Sequence, residues 1–232
     1  MNCSKIIRRR KEIKYVVIHY TGMQSEIESI DRLKKRGSKV SCHYLINRKG
    51  LITQLVMENK VAWHAGKSKW KKINNLNSNS IGIELVNNGH QWGYENFSNL
   101  QIKTLINLCL NLKRKYKIKN ENFLGHSDIA PLRKLDPGEK FPWKKLSNFG
   151  IGTWYKGKIK NVKIQKSRRS DLFFKNLKKI GYRYFSLRKR TRKDKMVVKA
   201  FQRRYYSHKV NGLIDQKILN ISHFLANKQK LS

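Results

Sequence analysis

Of the seven histidines in this 232-residue chain, four stand where a side chain could do chemistry. His19 closes the apolar run Tyr15-Val16-Val17-Ile18, and His43 opens another run. His64 lies within Ala62-Trp63-His64-Ala65-Gly66, and His126 within Gly125-His126-Ser127-Asp128. Three neutral or anionic ligands with a fourth position open to water form the arrangement that a hydrolytic zinc requires. His19, His126 and Asp136 could supply two imidazoles and one carboxylate, although their wide spacing matches no local two-histidine helix motif. A histidine at a strand end is also an ordinary hydrogen-bonded core residue, and Asp136-Pro137-Gly138 is also an ordinary turn.

Glu84 is the second candidate, in the apolar stretch Ile81-Gly82-Ile83-Glu84-Leu85-Val86. Strand alternation puts Gly82, Glu84 and Val86 on one face. If that face is buried, the carboxyl loses hydration and its pKa rises, which suits a general base. If the sheet is covered on one side only, Glu84 faces solvent. Lys134, two residues before Asp136, could set a cation against a developing oxyanion or simply be one more surface lysine.

The elements that would carry these residues are legible in outline. Residues 14–20 read as a buried strand, and Ser25-Glu26-Ile27-Glu28 has the form of a capping box opening a helix toward Arg36. Residues 43–56 read as two short strands around the turn Asn47-Arg48-Lys49-Gly50, and residues 80–86 as a further strand. Ser98-x-x-Gln101 repeats the box form ahead of the longest helical pattern, Leu105, Ile106, Cys109, Leu112 and Tyr116. The Lys-rich segment 155–169 lacks any pattern and reads as a linker. Helical spacing then returns over 170–180, 193–206 and 215–227. The expected architecture is α/β: a mixed central sheet flanked by helices in residues 1–154, the linker 155–169, and a small three-helix domain in 170–232.

Composition limits the classes. No apolar run approaches the roughly 20 residues of a membrane span, and no apolar segment of secretory length precedes the first strand. Cys3, Cys42 and Cys109 form an odd, widely spaced set, read as free thiols. With 53 Lys and Arg against 14 Asp and Glu, the formal charge is +39. Residues 151–232 hold 24 of those bases and only 3 of the acids. Such a charge attracts polyanions of any kind, whether nucleic acid, anionic lipid or acidic wall polymer. Abundant Lys, Asn and Ile throughout the chain also fits a general drift in composition.

At VVIHYT (16–21), CHYLINRKGLITQLV (42–56), AWHAGKS (62–68), LNSNSIGIELVNNG (76–89), GHSDIAPLRKLDPGEKFPW (125–143) and GTW (152–154) the chain closely resembles the AmpD/AmiD-type N-acetylmuramoyl-L-alanine amidases. That zinc family includes phage lytic amidases and peptidoglycan-recognition proteins. The resemblance implies one zinc ion on His19, His126 and Asp136, Glu84 as the catalytic carboxylate and Lys134 as the oxyanion lysine. It further implies a substrate groove shaped by Trp63, His64 and Asn79, whereas His43 matches a family position that is not a ligand. The implied reaction is hydrolysis of the amide between the lactyl group of N-acetylmuramic acid and L-alanine. The alternative is a recognition protein that holds wall fragments without cutting them. Residues 170–229, chiefly MVVKAFQRRYYSHKVNGLID (196–215), resemble a peptidoglycan-binding module. The expected partner is therefore peptidoglycan or a muropeptide, with no specific nucleic acid, and the expected state is a monomer. A wall-binding tail favours the envelope or periplasm, while an N-terminus without a visible export signal fits the cytoplasm.

Overall fold

The computed structural model describes residues 2–157 and 159–228. Residues 1, 158 and 229–232, which fall within the expected front domain, linker and tail, lie outside the described residues. The elements in chain order are β1 (Tyr15–Tyr20), α1 (Glu26–Lys34), β2 (Tyr44–Ile46), β3 (Ile52–Gln54), β4 (Lys69–Trp70), β5 (Ile73–Asn74), β6 (Ser80–Leu85), α2 (Asn99–Tyr116), β7 (Phe123–Gly125), α3 (His126–Ile129), α4 (Trp143–Ser147), α5 (Arg169–Ile180), α6 (Asp194–Tyr205) and α7 (Gln216–Lys228).

The main sheet runs β3-β2-β6-β1-β7. β2, β6, β1 and β7 are parallel, and β3 returns antiparallel to β2 through the turn at 47–50. A mixed sheet flanked by helices is thus the architecture that the sequence leads one to expect. β1 and β6 are buried almost throughout; β1 is apolar at most positions, as a parallel strand covered on both faces is, whereas one face of β6 carries Ser80, Gly82 and Glu84. Their alternate residues divide between two clusters. Val16, Ile18, Ile81, Ile83 and Leu85 pack under α2, against Ile102, Leu105, Ile106, Cys109 and Leu112. Tyr15, Val17 and Leu124 face the other way and merge with Phe173, Phe174, Leu177, Val197, Phe201, Leu219 and Leu225 of α5, α6 and α7. The three C-terminal helices therefore share one core with the sheet. Burying each of those large side chains is worth about 1.5–3 kcal/mol.

Both box-like starts form their caps, but only partly as the pattern suggests. Ser25 accepts from the Glu28 N–H at 3.1 Å, and α1 stops two residues short of Arg36. Ser98 accepts from the Gln101 N–H at 3.0 Å. The Gln101 side chain does not reach back; it donates inward to the carbonyls of Ile46 (3.0 Å) and Val86 (3.2 Å) at the ends of β2 and β6, the Ile46 carbonyl also accepting from the Val86 N–H at 3.0 Å. The segment expected to be a linker lies along α7: Val162 N–H donates to Asn220 Oδ1 at 3.0 Å, and Gln216 Nε2 donates to the Val162 carbonyl at 3.0 Å. Ile159 and Ile164 pack on the shared core.

Candidate active site

In the parallel β1–β6 register His19 is paired with Glu84, at the C-terminal ends of the two strands. Both belong to the face turned away from α2. β7 ends beside them, and its last residue leads directly into α3, whose first residue is His126. The loop after α3 brings Asp136 back, its carbonyl accepting from the Ser127 N–H at 2.8 Å. The sheet thus gathers ligands 107 and 117 residues apart.

His19 Nδ1, His126 Nδ1 and Asp136 Oδ2 lie 3.0 Å from one another on all three sides, and all three residues are buried. The edge of a tetrahedron around zinc with nitrogen ligands is about 3.3 Å, so the triangle has the right size for such an ion. Hydrogen bonds behind the ligands decide whether the two nitrogens carry lone pairs. The Ser80 hydroxyl donates to the Leu76 carbonyl at 2.6 Å, so its oxygen accepts from His64 Nε2–H at 3.1 Å. His64 Nδ1 is then the acceptor for His19 Nε2–H at 3.1 Å, which leaves a lone pair on His19 Nδ1. His126 Nε2 lies 3.2 Å from both the Ala65 carbonyl and Arg133 Nη2; in the tautomer that gives its Nε2 proton to the carbonyl, Nδ1 carries the lone pair. Ligand histidines in metal sites are oriented in this way by their second nitrogen. Burial, followed by the neighbouring His126, lowers the His19 pKa to about 4, so its ring is neutral at neutral pH. Burial alone would raise the Asp136 pKa, but the two histidines outweigh it and hold the carboxyl far below the usual range. The donor set, two imidazoles and a carboxylate, fits a divalent cation.

Glu84 is buried, and burial together with the Asp136 charge pushes its carboxyl well above the usual range. Its Oε2 is buried with no hydrogen-bond partner among the described residues. Lys134 lines the same cleft, and its charge acts on both His19 and Glu84. An open cleft of about 1290 Å³ has His19, His64, Glu84, His126, Lys134 and Asp136 along its base. Asp31, Arg32, Lys35 and Arg36, on α1 and just after it, form one wall, and His90, Gln91 and Trp92 line it as well.

His64 lines the cleft as expected while lying buried beside His19, its ring set against Gly82 so closely that a Cβ there would sit 2.3 Å from His64 Cγ. Trp63 and Asn79 do not line the cleft. Trp63 is tied by its backbone to Ser41 (3.1 and 2.9 Å). Asn79 precedes β6 at the end opposite Glu84, where its side chain donates to the Glu12 carbonyl at 3.2 Å and its own carbonyl accepts from Lys14 N–H at 2.9 Å. His43 is a core residue: Nδ1 accepts from the Gly82 N–H at 2.9 Å, and burial and then the Arg8 charge lower its pKa to about 3. Arg8 threads inward to the carbonyls of Glu58, Asn77 and Ser80, a role that nothing in the run Arg8-Arg9-Arg10-Lys11 marks out.

Comparison with known proteins agrees with this geometry. The sequence profile of the N-acetylmuramoyl-L-alanine amidase family matches residues 9–139. The N-acetylmuramoyl-L-alanine amidase AmiD of Escherichia coli is 44% identical over 154 residues, covering 61% of this chain and 55% of that protein. The chain spans about half the length of the curated relatives that it matches first. The solved complex of E. coli AmiD with anhydro-N-acetylmuramic acid-L-Ala-D-γ-Glu-L-Lys superposes with a TM-score of 0.81 at 34% identity, over 97% of this chain and 92% of that one. AmpDh3 from Pseudomonas aeruginosa, solved with an anhydromuramic pentapeptide, superposes with a TM-score of 0.80 at 27% identity, over 99% and 96% of the two chains.

Proposed function

The chain belongs to the N-acetylmuramoyl-L-alanine amidase family, and from that premise we propose that it hydrolyses the amide joining the lactyl group of N-acetylmuramic acid to L-alanine, with one zinc ion held by His19, His126 and Asp136. The observation that carries the proposal is the triangle of three ligand atoms 3.0 Å apart, in the same cleft as the unpartnered Oε2 of Glu84. Zinc at that position supplies Lewis-acid polarisation and a more acidic water.

The chain's own residues do the rest. Glu84 Oε2, poorly solvated and basic, takes the proton of the attacking water and returns it to the leaving nitrogen of L-alanine. Lys134 sets its positive charge where negative charge collects on the former carbonyl oxygen. No covalent intermediate with the protein is required. Arg32, Lys35 and Arg36 on the cleft wall suit a stem peptide that carries carboxylates, as do the ligands bound by the two relatives. Residues 170–232 serve as a wall-binding module, which would place the enzyme's work on the cell envelope. No described helix is long and apolar enough to cross a membrane.

Mass spectrometry of products tests the reading. Zinc-loaded protein is incubated with purified sacculi and, separately, with soluble anhydromuropeptides, each with and without a chelator. Chelator-sensitive release of peptides beginning at L-alanine is expected. Retention on sacculi with no peptide released would replace it with a non-catalytic recognition protein.

A further inference from the structure

Helix α6 presents two adjacent arginines to the segments that carry the metal ligands. The Arg204 guanidinium is buried: one nitrogen donates to Asp128 Oδ2, the other to the Phe123 carbonyl at 3.0 Å, and its plane lies 3.9 Å over the Trp143 ring. Asp128 is also buried, and every side of its carboxylate is committed. Oδ1 accepts from the Tyr182 hydroxyl at 2.5 Å, and Oδ2 accepts from the Gly125 N–H at 2.8 Å. That last bond closes the turn from which His126 departs. Arg203 Nε faces Glu139 Oε2 at 3.7 Å, three residues past Asp136. Glu139 in turn contacts His90 Nε2 at 3.1 Å, and His90 Nδ1 meets the hydroxyl of Tyr20, the neighbour of His19, at 2.8 Å.

Attachment alone does not account for this arrangement. α6 already shares an apolar core with the sheet through Val197 and Phe201. A buried ion pair adds little net stability, because desolvating two charges offsets their attraction; what it adds is direction. Metal sites need that direction, since their ligands must be held within about 0.5 Å of the productive geometry.

We infer that Arg203 and Arg204, with Tyr182, are positioning residues for the metal ligands, so that the C-terminal helices form part of the framework of the metal centre. This rests on the proposed zinc site, whose failure would be visible in the unaltered chain as an absence of zinc binding. The amidase reading can fail separately, by zinc binding without peptide release, and the affinity comparison below would still stand.

The test is zinc affinity by chelator competition in the full chain, alongside circular dichroism and thermal unfolding, for Arg204→Met, Arg203→Met and Tyr182→Phe. Val197→Ala, at a buried apolar position of α6 in the shared core, serves as a control that loosens α6 packing without removing a polar group of the clasp. Loss of a supporting partner of a ligand typically weakens metal binding about 10- to 100-fold. That loss is expected for the two arginine variants, with at least a threefold loss for Tyr182→Phe, while Val197→Ala lowers Tm and leaves zinc affinity unchanged. Losses under threefold in the folded variants, or a loss in Val197→Ala matching theirs, would overturn the inference. Should Arg204→Met not fold, Tyr182→Phe and Arg203→Met decide by the same thresholds.

Discussion

Replacing Gly82 by alanine probes the hydrogen-bond relay behind His19. The added Cβ would lie 2.3 Å from His64 Cγ, 2.6 Å from Cδ2 and 2.7 Å from Nδ1. Carbon atoms in contact prefer roughly 3.5–4.0 Å, so the ring must retreat by more than about 1 Å. The bonds from His64 to His19 Nε2 and to Ser80 Oγ are both 3.1 Å. They have only about 0.4 Å to spare before they cease to be hydrogen bonds, so at least one is lost. Two effects should follow: a stability loss of about 1–3 kcal/mol from overpacking, and a fall in zinc affinity of about 10- to 100-fold as His19 loses its orienting partner. A double-mutant cycle separates steric from relay effects. In His64→Ala the ring is gone, so adding Gly82→Ala should cost almost nothing more, and the two changes should couple by about 0.5–3 kcal/mol. Zinc titrations against a chelator, with urea unfolding of the metal-free chain, measure both quantities. Additive effects, or wild-type zinc affinity in Gly82→Ala, would refute the relay.

Glu84→Gln should retain zinc and lose about 10²- to 10⁴-fold in kcat; steady-state kinetics with metal analysis would reject the role if activity persisted. In the metal-free chain, His43 takes up a proton only near pH 3 when folded but near pH 6.5 when unfolded. The unfolded state therefore gains protons first, and stability should fall with decreasing pH across that window by about 1.4 kcal/mol per unit for this group. His43→Gln should flatten the slope by that one proton in urea unfolding at several pH values, and an unchanged slope would show the ring is not held neutral. Phe201→Ala, emptying a fully buried site ringed by Phe173, Tyr182 and Tyr205, should cost about 3–5 kcal/mol, read as a drop in the urea midpoint.

Periodicity located the long elements well because burial imposes it: α2 and β6 each show one repeat over many residues. The ribbon of β4 and β5, two residues per strand, is too short to leave such a trace. The division of β1 between two cores is written in its apolar run, but nothing there says that helices 150 residues later cover the second face. Candidate site residues were legible where chemistry limits the choice of side chain, as at His19, His126, Asp136 and Glu84, which the fold gathers in one cleft. They were not legible where geometry alone selects the residue. Arg8 and Arg204 are two among 53 basic residues, distinguished only by the carbonyls and the carboxylate they reach. That His64, expected to shape the groove, also hydrogen-bonds to His19 was not legible, because it depends on the bare face of Gly82 leaving room for an imidazole there.

The proposed ligands sit at the ends of neighbouring strands, β1 and β7, that are far apart in sequence, His126 lying 107 positions after His19. Closing so long a loop carries an entropic cost that local contacts cannot offset, and contacts of that range form late in folding. A metal ion therefore has no partial site to nucleate on: early in folding the chain offers it one imidazole. Arg204 lies another 78 residues beyond His126, so during synthesis the last support of the metal centre leaves the ribosome long after the three ligands have done so. Metal capture at the proposed site should accordingly report completed folding, and metallation kinetics during refolding should lag behind the recovery of helix.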